Sequence, residues 1–280
     1  MNARGFSKIL TENRNARVGL ILVLIPIIMA SFAQWIAPYS AHALTCRPYE
    51  GPSPTHLLGC DDIGHDLLSQ LIYGSRVPLL VGCLSAAIVT TLGTMIAIYP
   101  GYIGGLLDEI LMRLTDAVMT VPYLVFLIVL TAYLGPNIWN IIMSIGFLGW
   151  PSTTRIVRSQ VITLKTRLYV EAAVAAGAGR RYIMFNYILP GLLPAIIPLA
   201  VLSVMDGILT EAGLSFLGLG DSAQVSWGMI LFYAQFRGGF VAGAWWWIVP
   251  PGIMITITSL GILFVSHALD EIMNPSKVRT

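Results

Sequence analysis

The stretch Thr166–Pro190, TRLYVEAAVAAGAGRRYIMFNYILP, decides how the rest of the chain reads. Residues 168–176 are good helix formers, and Gly177 and Gly179 interrupt them. A second short helical run, 180–189, ends at Pro190. The pattern predicts two short helices joined by a glycine turn, a compact knob carrying one carboxylate and small alanines. Ala172 and Ala173 let another protein approach closely, and Glu171 offers a charge-assisted bond to a basic group. Glycine at 177 takes backbone angles that a side chain would penalise.

Outward from the knob the chain is strongly apolar. Of 280 residues 56% are hydrophobic and 11% charged, too few charges to clothe a soluble domain of this size. A helix needs about 20 apolar residues to cross the hydrocarbon of a bilayer. Six stretches qualify, at about 18–37, 77–98, 117–134, 138–157, 192–210 and 245–265. Only Arg155, at an end, and Asp206 put charge inside them. The runs are continuous, which favours helices over barrel strands. The fold class read from this is all-α, a polytopic membrane protein with six transmembrane helices. The first run is longer than the apolar region of a usual signal peptide and is expected to remain as a span.

Basic residues orient the bundle. With the N-terminus in the cytoplasm, the inside segments hold Arg4, Lys8, Arg14, Arg17, Arg113, Arg155, Arg158, Lys165, Arg167, Arg180, Arg181, Lys277 and Arg279. The outside segments hold only Arg47, Arg76 and Arg237. The positive-inside rule therefore puts both termini in the cytoplasm, with tails at 1–17 and 267–280 around a transmembrane domain at 18–266. A formal net charge of +2 gives no footprint for nucleic acid.

The connections differ in length. Residues 38–76 form an outer loop in which Ile63, Leu67, Leu68, Leu71 and Ile72 line one helical face, with Asp61 and Asp62 as N-terminal caps. This predicts a helix lying at the outer membrane surface. Residues 158–191 are the cytoplasmic loop that holds the knob. In the outer segment 211–244 the run Trp227–Phe236 is too short to span and reads as re-entrant or packed on the bundle. Trp245, Trp246 and Trp247 read as an anchor at the outer interface. Cys46 and Cys60 share the outer loop and either pair in an oxidising compartment or remain thiols. His42, His56 and His65 also lie outside, at no recognisable metal-ligand spacing.

The pattern E-A-A, three residues, G, then a closing L-P resembles the EAA loop of ABC importer permeases. Here it is Glu171-Ala172-Ala173, Gly177 and Leu189-Pro190. His56-Leu57-Leu58-Gly59-Cys60-Asp61-Asp62-Ile63-Gly64-His65-Asp66 looks like the segment before the second span in the dipeptide/oligopeptide/nickel subfamily, as does Leu71–Arg76. So does Thr210–Gly220, followed by Ser226-Trp227-Gly228. These blocks match the second, C-type permease of the heterodimer. The subfamily usually has arginine where this chain has His65 and Gln70, histidine at Tyr187 and threonine at Cys60. Its tail pattern is degraded around His267, Asp270 and Asn274.

The resemblance implies a type I (MetI-like) permease fold and a coupling role for Glu171, Ala172, Ala173, Gly177, Leu189 and Pro190. Partners implied are a second permease, one or two ABC ATPase subunits and an extracytoplasmic substrate-binding protein. The chain has no GxxxxGK[ST] sequence, so ATP and magnesium belong to the ATPase partners, and this chain binds no cofactor of its own. Asp206, an in-span carboxylate, and Glu211 after it are candidates for the substrate path; the other reading of Asp206 is a bond to a neighbouring helix. By subfamily frequency the cargo is a peptide, with nickel, metallophores or glutathione-like compounds as alternatives. An autonomous secondary transporter is the reading from another class, disfavoured by the single in-span carboxylate and the lack of internal repeats.

Overall fold

A computed structural model of the chain describes residues 14–274. The ends of the two tails, with Arg4, Lys8, Lys277 and Arg279, lie outside the described residues. In hydrocarbon every backbone polar group must find its partner within the protein, and a continuous apolar run does so most directly as a helix. The described residues form α1 (Arg14–Ser31), α2 (Ala33–Ile36), α3 (Leu67–Tyr73), α4 (Arg76–Ile103), α5 (Leu106–Thr120), α6 (Tyr123–Leu134) and α7 (Ile138–Lys165). After these come α8 (Leu168–Ala175), α9 (Arg180–Ile183), a π-turn at Met184–Ile188, α10 (Leu189–Phe216), α11 (Trp227–Phe236) and α12 (Trp245–Met273).

Among the described residues four helical segments are long and apolar enough to cross a membrane: Arg14–Ser31, Leu67–Ile103, Arg180–Phe216 and Trp245–Met273. A fifth crossing arises if α5 and α6 are taken together, and that pair is bent by 80°. The run 117–134 is therefore not one straight helix. Pro122 forces extended backbone on Val121 (ψ 129°), which stops α5 and starts α6 in a new direction. The helix α7 is as long as α4 and runs to Lys165, past the end of the apolar run 138–157, with Arg155, Arg158 and Lys165 in its second half.

Pro190 does not end the second half of the knob. The chain is helical from Arg180 to Phe216, and the π-turn just ahead of Pro190 loosens the ladder where the ring would crowd the preceding turn. The expected surface helix of the outer loop is also different. It is only the seven residues of α3, capped by Asp66, whose side chain accepts from the Ser69 amide at 2.8 Å. Its Leu67, Leu71 and Ile72 are buried among the other helices, whereas Ile63 precedes the helix and is exposed. α11 packs on α10 and α12. Of the tryptophan cluster only Trp245 is exposed; Trp247 is buried, and Trp246 lies against the outer loop with its indole N–H directed at the Cys60 carbonyl.

Helices in lipid associate by close packing of small residues, because lipid is as apolar as leucine. α4 packs on α7 and α10, and α1 on α12. Where α4 crosses α10, a Cβ on Gly207 would meet Ser85 Oγ at 2.6 Å and the Gly82 Cα at 2.9 Å. Interhelical hydrogen bonds reinforce the bundle, among them Thr154 Oγ1 to the Gly93 carbonyl (3.1 Å) and Ser266 Oγ to the Pro198 carbonyl (2.9 Å). Gly207→Val should overpack this crossing and cost about 1–3 kcal/mol. Thermal unfolding of the purified chain in detergent checks it. Gly213→Ala, at a position of the same helix with open space around it, is the control and should not lower the midpoint.

Candidate functional site

At one end of the bundle the knob stands proud. α8 closes with a Schellman turn, in which the Ala178 amide donates to the Ala173 carbonyl (3.0 Å) and the Gly177 amide to the Val174 carbonyl (2.9 Å). That turn needs the φ of +82° that Gly177 supplies. Val170 and Ile183 are 1% exposed and join Val157, Val161, Ile188 and Leu192 in one apolar cluster. The knob is thus rooted in α7 and α10, and Ala97 and Tyr102 of α4 belong to the same cluster. Its outward face presents Glu171, Ala172 and Gly177, with Ala173 half-buried beneath them. Leu168, Val174, Tyr182 and Phe185 are exposed around it, at 83% for Leu168. Leu189 and Pro190 lie at the start of α10, where Leu189 is half-buried and Pro190 exposed. The structure thus gathers the EAA residues and Gly177 on one projecting face, with Leu189-Pro190 in the stem.

A cavity of about 510 Å³ opens between the α5–α6 bend, α7 and α10. That is the size of a small-ligand pocket. Its wall is largely apolar, with Asp206, Ser203, Ser152 and Thr210 among the polar groups. Asp206 is exposed into this space. Glu211 is not on it. Five residues further along α10, its side chain turns into the bundle, is 1% exposed and accepts from Ser215 Oγ at 2.7 Å. One carboxylate therefore faces the cavity and the other does not.

At the opposite end the outer loop is built around buried carboxylates. Asp61 Oδ1 accepts from the amides of Ile63, Gly64 and His65, while its Oδ2 meets His65 Nδ1 at 2.7 Å and Gln70 Nε2 at 3.0 Å. Asp61 organises the turn and does not cap a helix. Asp66 pairs with His56 Nδ1 (3.0 Å), and Asp62 with Arg237 Nη1 (2.7 Å). That pairing holds the Arg237 guanidinium charged, raising its pKa above the usual arginine value. Cys46 and Cys60 form a disulfide whose Cα atoms are 6.5 Å apart. His56 lies beside these sulfurs, but a disulfide has no thiolate to offer a metal.

Two further ion pairs, like those of the outer loop, were not read from the sequence. Arg158 binds Asp108 in bidentate fashion, and Arg155 binds Asp116. Basic residues three apart at the end of a span, after a helix with acidic residues two turns apart, were the available signal.

Comparison with known proteins decides the family. Residues 90–279 match the family model described as the binding-protein-dependent transport system inner membrane component. The chain belongs to that family. Residues 4–52 match the N-terminal transmembrane domain of oligopeptide transport permease C. Over 272 residues the chain is 35% identical to the dipeptide transport system permease protein DppC of Haemophilus influenzae, covering 94% of this chain and 91% of that one. It is 38% identical to DppC of Escherichia coli K12, over 94% and 90% of the two chains. It is 34% identical to the di/tripeptide permease DppC of Pseudomonas aeruginosa, over 94% and 89%. The protein is thus a multi-pass permease of the ABC importer class, of the type found in bacterial inner membranes.

Gly177→Val would place a β-branched residue at positive φ, at a cost of about 1–2 kcal/mol. Amide exchange at position 177 and at Ala178 should then speed up roughly 5- to 30-fold, with the bundle's protection unchanged. Hydrogen-exchange mass spectrometry of the purified chain measures this.

Proposed function

We propose that this chain is one of two permease subunits of an ATP-driven importer of short peptides. In this reading it crosses the membrane six times, through α1, α4, the bent pair α5–α6, α7, the rod 180–216 and α12, and both termini are cytoplasmic. The observation that carries the reading is the knob itself. A Schellman-capped helix with Glu171 and Gly177 on its outward face, rooted in two spans, is a rigid docking piece. The distribution of lysine and arginine puts that piece on the cytoplasmic side, where ATPase subunits are found.

The ATPases bind ATP and magnesium, and this chain performs no hydrolysis. ATP-driven closure draws the two coupling loops together and opens the path between the permeases outward; hydrolysis resets it inward. Peptide cargo is inferred from the relatives, which are named dipeptide and di/tripeptide permeases. A short peptide brings a cationic amino terminus, for which the Asp206 carboxylate in the cavity is a suitable partner. An external binding protein delivers the cargo to the end where the disulfide-closed loop lies.

The test uses the complete complex of both permeases, ATPases and binding protein in proteoliposomes. Radiolabelled dipeptide should accumulate only with ATP; accumulation by this chain alone without ATP would refute the importer reading, and uptake of nickel but not peptide would refute the cargo. Asp206→Asn removes a charge-assisted contact of at least about 1.5 kcal/mol and should raise the half-saturating peptide concentration roughly tenfold. Unchanged affinity and rate would remove Asp206 from the path.

A further inference from the structure

The helix α5 is held to the bundle in an unusual way. Thr115 is its one buried residue, and Leu106, Leu107, Ile110 and Leu114 are all exposed. Apolar packing therefore does little to fix its position. Its two ends are breaks in the backbone. Before it, Gly104 and Gly105 both have positive φ (72° and 74°), with nothing near the position a Cβ would take. After it, Val121–Pro122 turns the chain by 80° into α6. A segment bounded by two such joints and lacking a buried face moves as a unit unless something else ties it down.

The ties are ionic, and both run to α7. Arg158 Nε donates to Asp108 Oδ1 at 2.6 Å and its Nη2 to Asp108 Oδ2 at 2.5 Å, and Arg155 Nη2 donates to Asp116. The Arg158–Asp108 pair is bidentate and mostly shielded, with side-chain exposures of 29% and 13%. Arg155 and Asp116 are 54% and 61% exposed, so water screens that pair and Arg158 carries most of the connection. The Arg113–Glu109 pair stays within α5 and ties it to nothing.

The two ends of this linkage are what give it meaning. Past its C-terminus at Lys165, α7 enters the knob after two residues, Thr166 and Arg167. Val118 and Met119 at the far end of α5, with Val121, line the cavity opposite Pro151 and Ser152 of α7 and Asp206 of α10. We propose that Arg158, seconded by Arg155, is a strut that carries displacement of the coupling loop through α7 to α5, and so sets the width of the substrate cavity. The proposal rests on the importer reading above. Arg158 is a positioning residue, since it lies outside the cavity lining and acts through α5. A merely structural staple predicts something different, because losing it would lower assembly, ATP hydrolysis and transport together.

The experiment measures peptide transported per ATP hydrolysed by the complete importer in proteoliposomes. Arg158→Gln and Asp108→Asn should each lower that ratio about five- to tenfold while substrate-stimulated ATP hydrolysis persists, because the ATPases still close but α5 no longer follows. Arg158→Lys keeps the charge without the bidentate fork and should fall between them and the wild type. Should the neutral variants fail to assemble, the ratio for Arg158→Lys alone carries the test. The paired reversal Arg158→Asp with Asp108→Arg should restore much of the ratio. A wild-type ratio in the assembled variants overturns the strut, as does an equal fall of ATP hydrolysis and transport. Wild-type uptake without ATP would instead overturn the importer reading, so the two failures are separable.

Discussion

The approach of α4 to α10 at Gly82 and Gly207 is the contact on which the arrangement of the bundle depends. Water does not drive these helices together in a membrane, so backbone proximity and short-range packing must. With α10 docked on one side of α4 and α7 on another, the knob between α7 and α10 has two fixed roots. The same three helices bring Val157, Val161, Ile188 and Leu192 into the cluster that buries Val170 and Ile183. The exposed Glu171 face is therefore a consequence of packing some distance away in the bundle.

The two ends of the molecule are held by different chemistry. At the knob end apolar burial does the work, and only α5 relies on charge. At the opposite end an apolar cluster that includes Leu67, Leu71, Trp227, Ile230 and Trp247 seats the α3–α11 pair, and the loop beside it is organised by Asp61, Asp66 and the Cys46–Cys60 bond. Each buried carboxylate there accepts several hydrogen bonds, which offsets much of the cost of removing it from water. Trp246 and Trp247 close this loop and the α3–α11 pair onto α12 instead of facing lipid.

Much of this was legible in the chain itself. Apolar run lengths located most of the long helices, and glycine spacing located the turn at Gly177, because both signals are local. The break at Val121–Pro122 was read through, since proline is tolerated inside many membrane helices and hydropathy is blind to direction. Pro190 misled in the opposite sense, because a π-turn lets a helix continue past a proline that would otherwise end it. Asp206 inside the span and Glu211 just after it were both read as candidates for the substrate path. Five residues place them on different sides of a helix, and only the neighbours of α10 decide which side meets the cavity. The Arg158–Asp108 pair joins residues 50 apart in sequence, beyond the reach of any periodicity.

The uninterrupted helical run from Arg180 to Phe216 has a mechanical consequence. About 40 Å of helix lies between Arg180 and Gly207, and about 14 Å between Gly207 and Phe216. With the close contact at Gly207 as fulcrum, a tilt moves the knob end roughly three times as far as the other end. Asp206 is next to the fulcrum and sits near the node of that lever. A large swing at the knob end thus leaves the cavity's carboxylate almost stationary while the walls around it move.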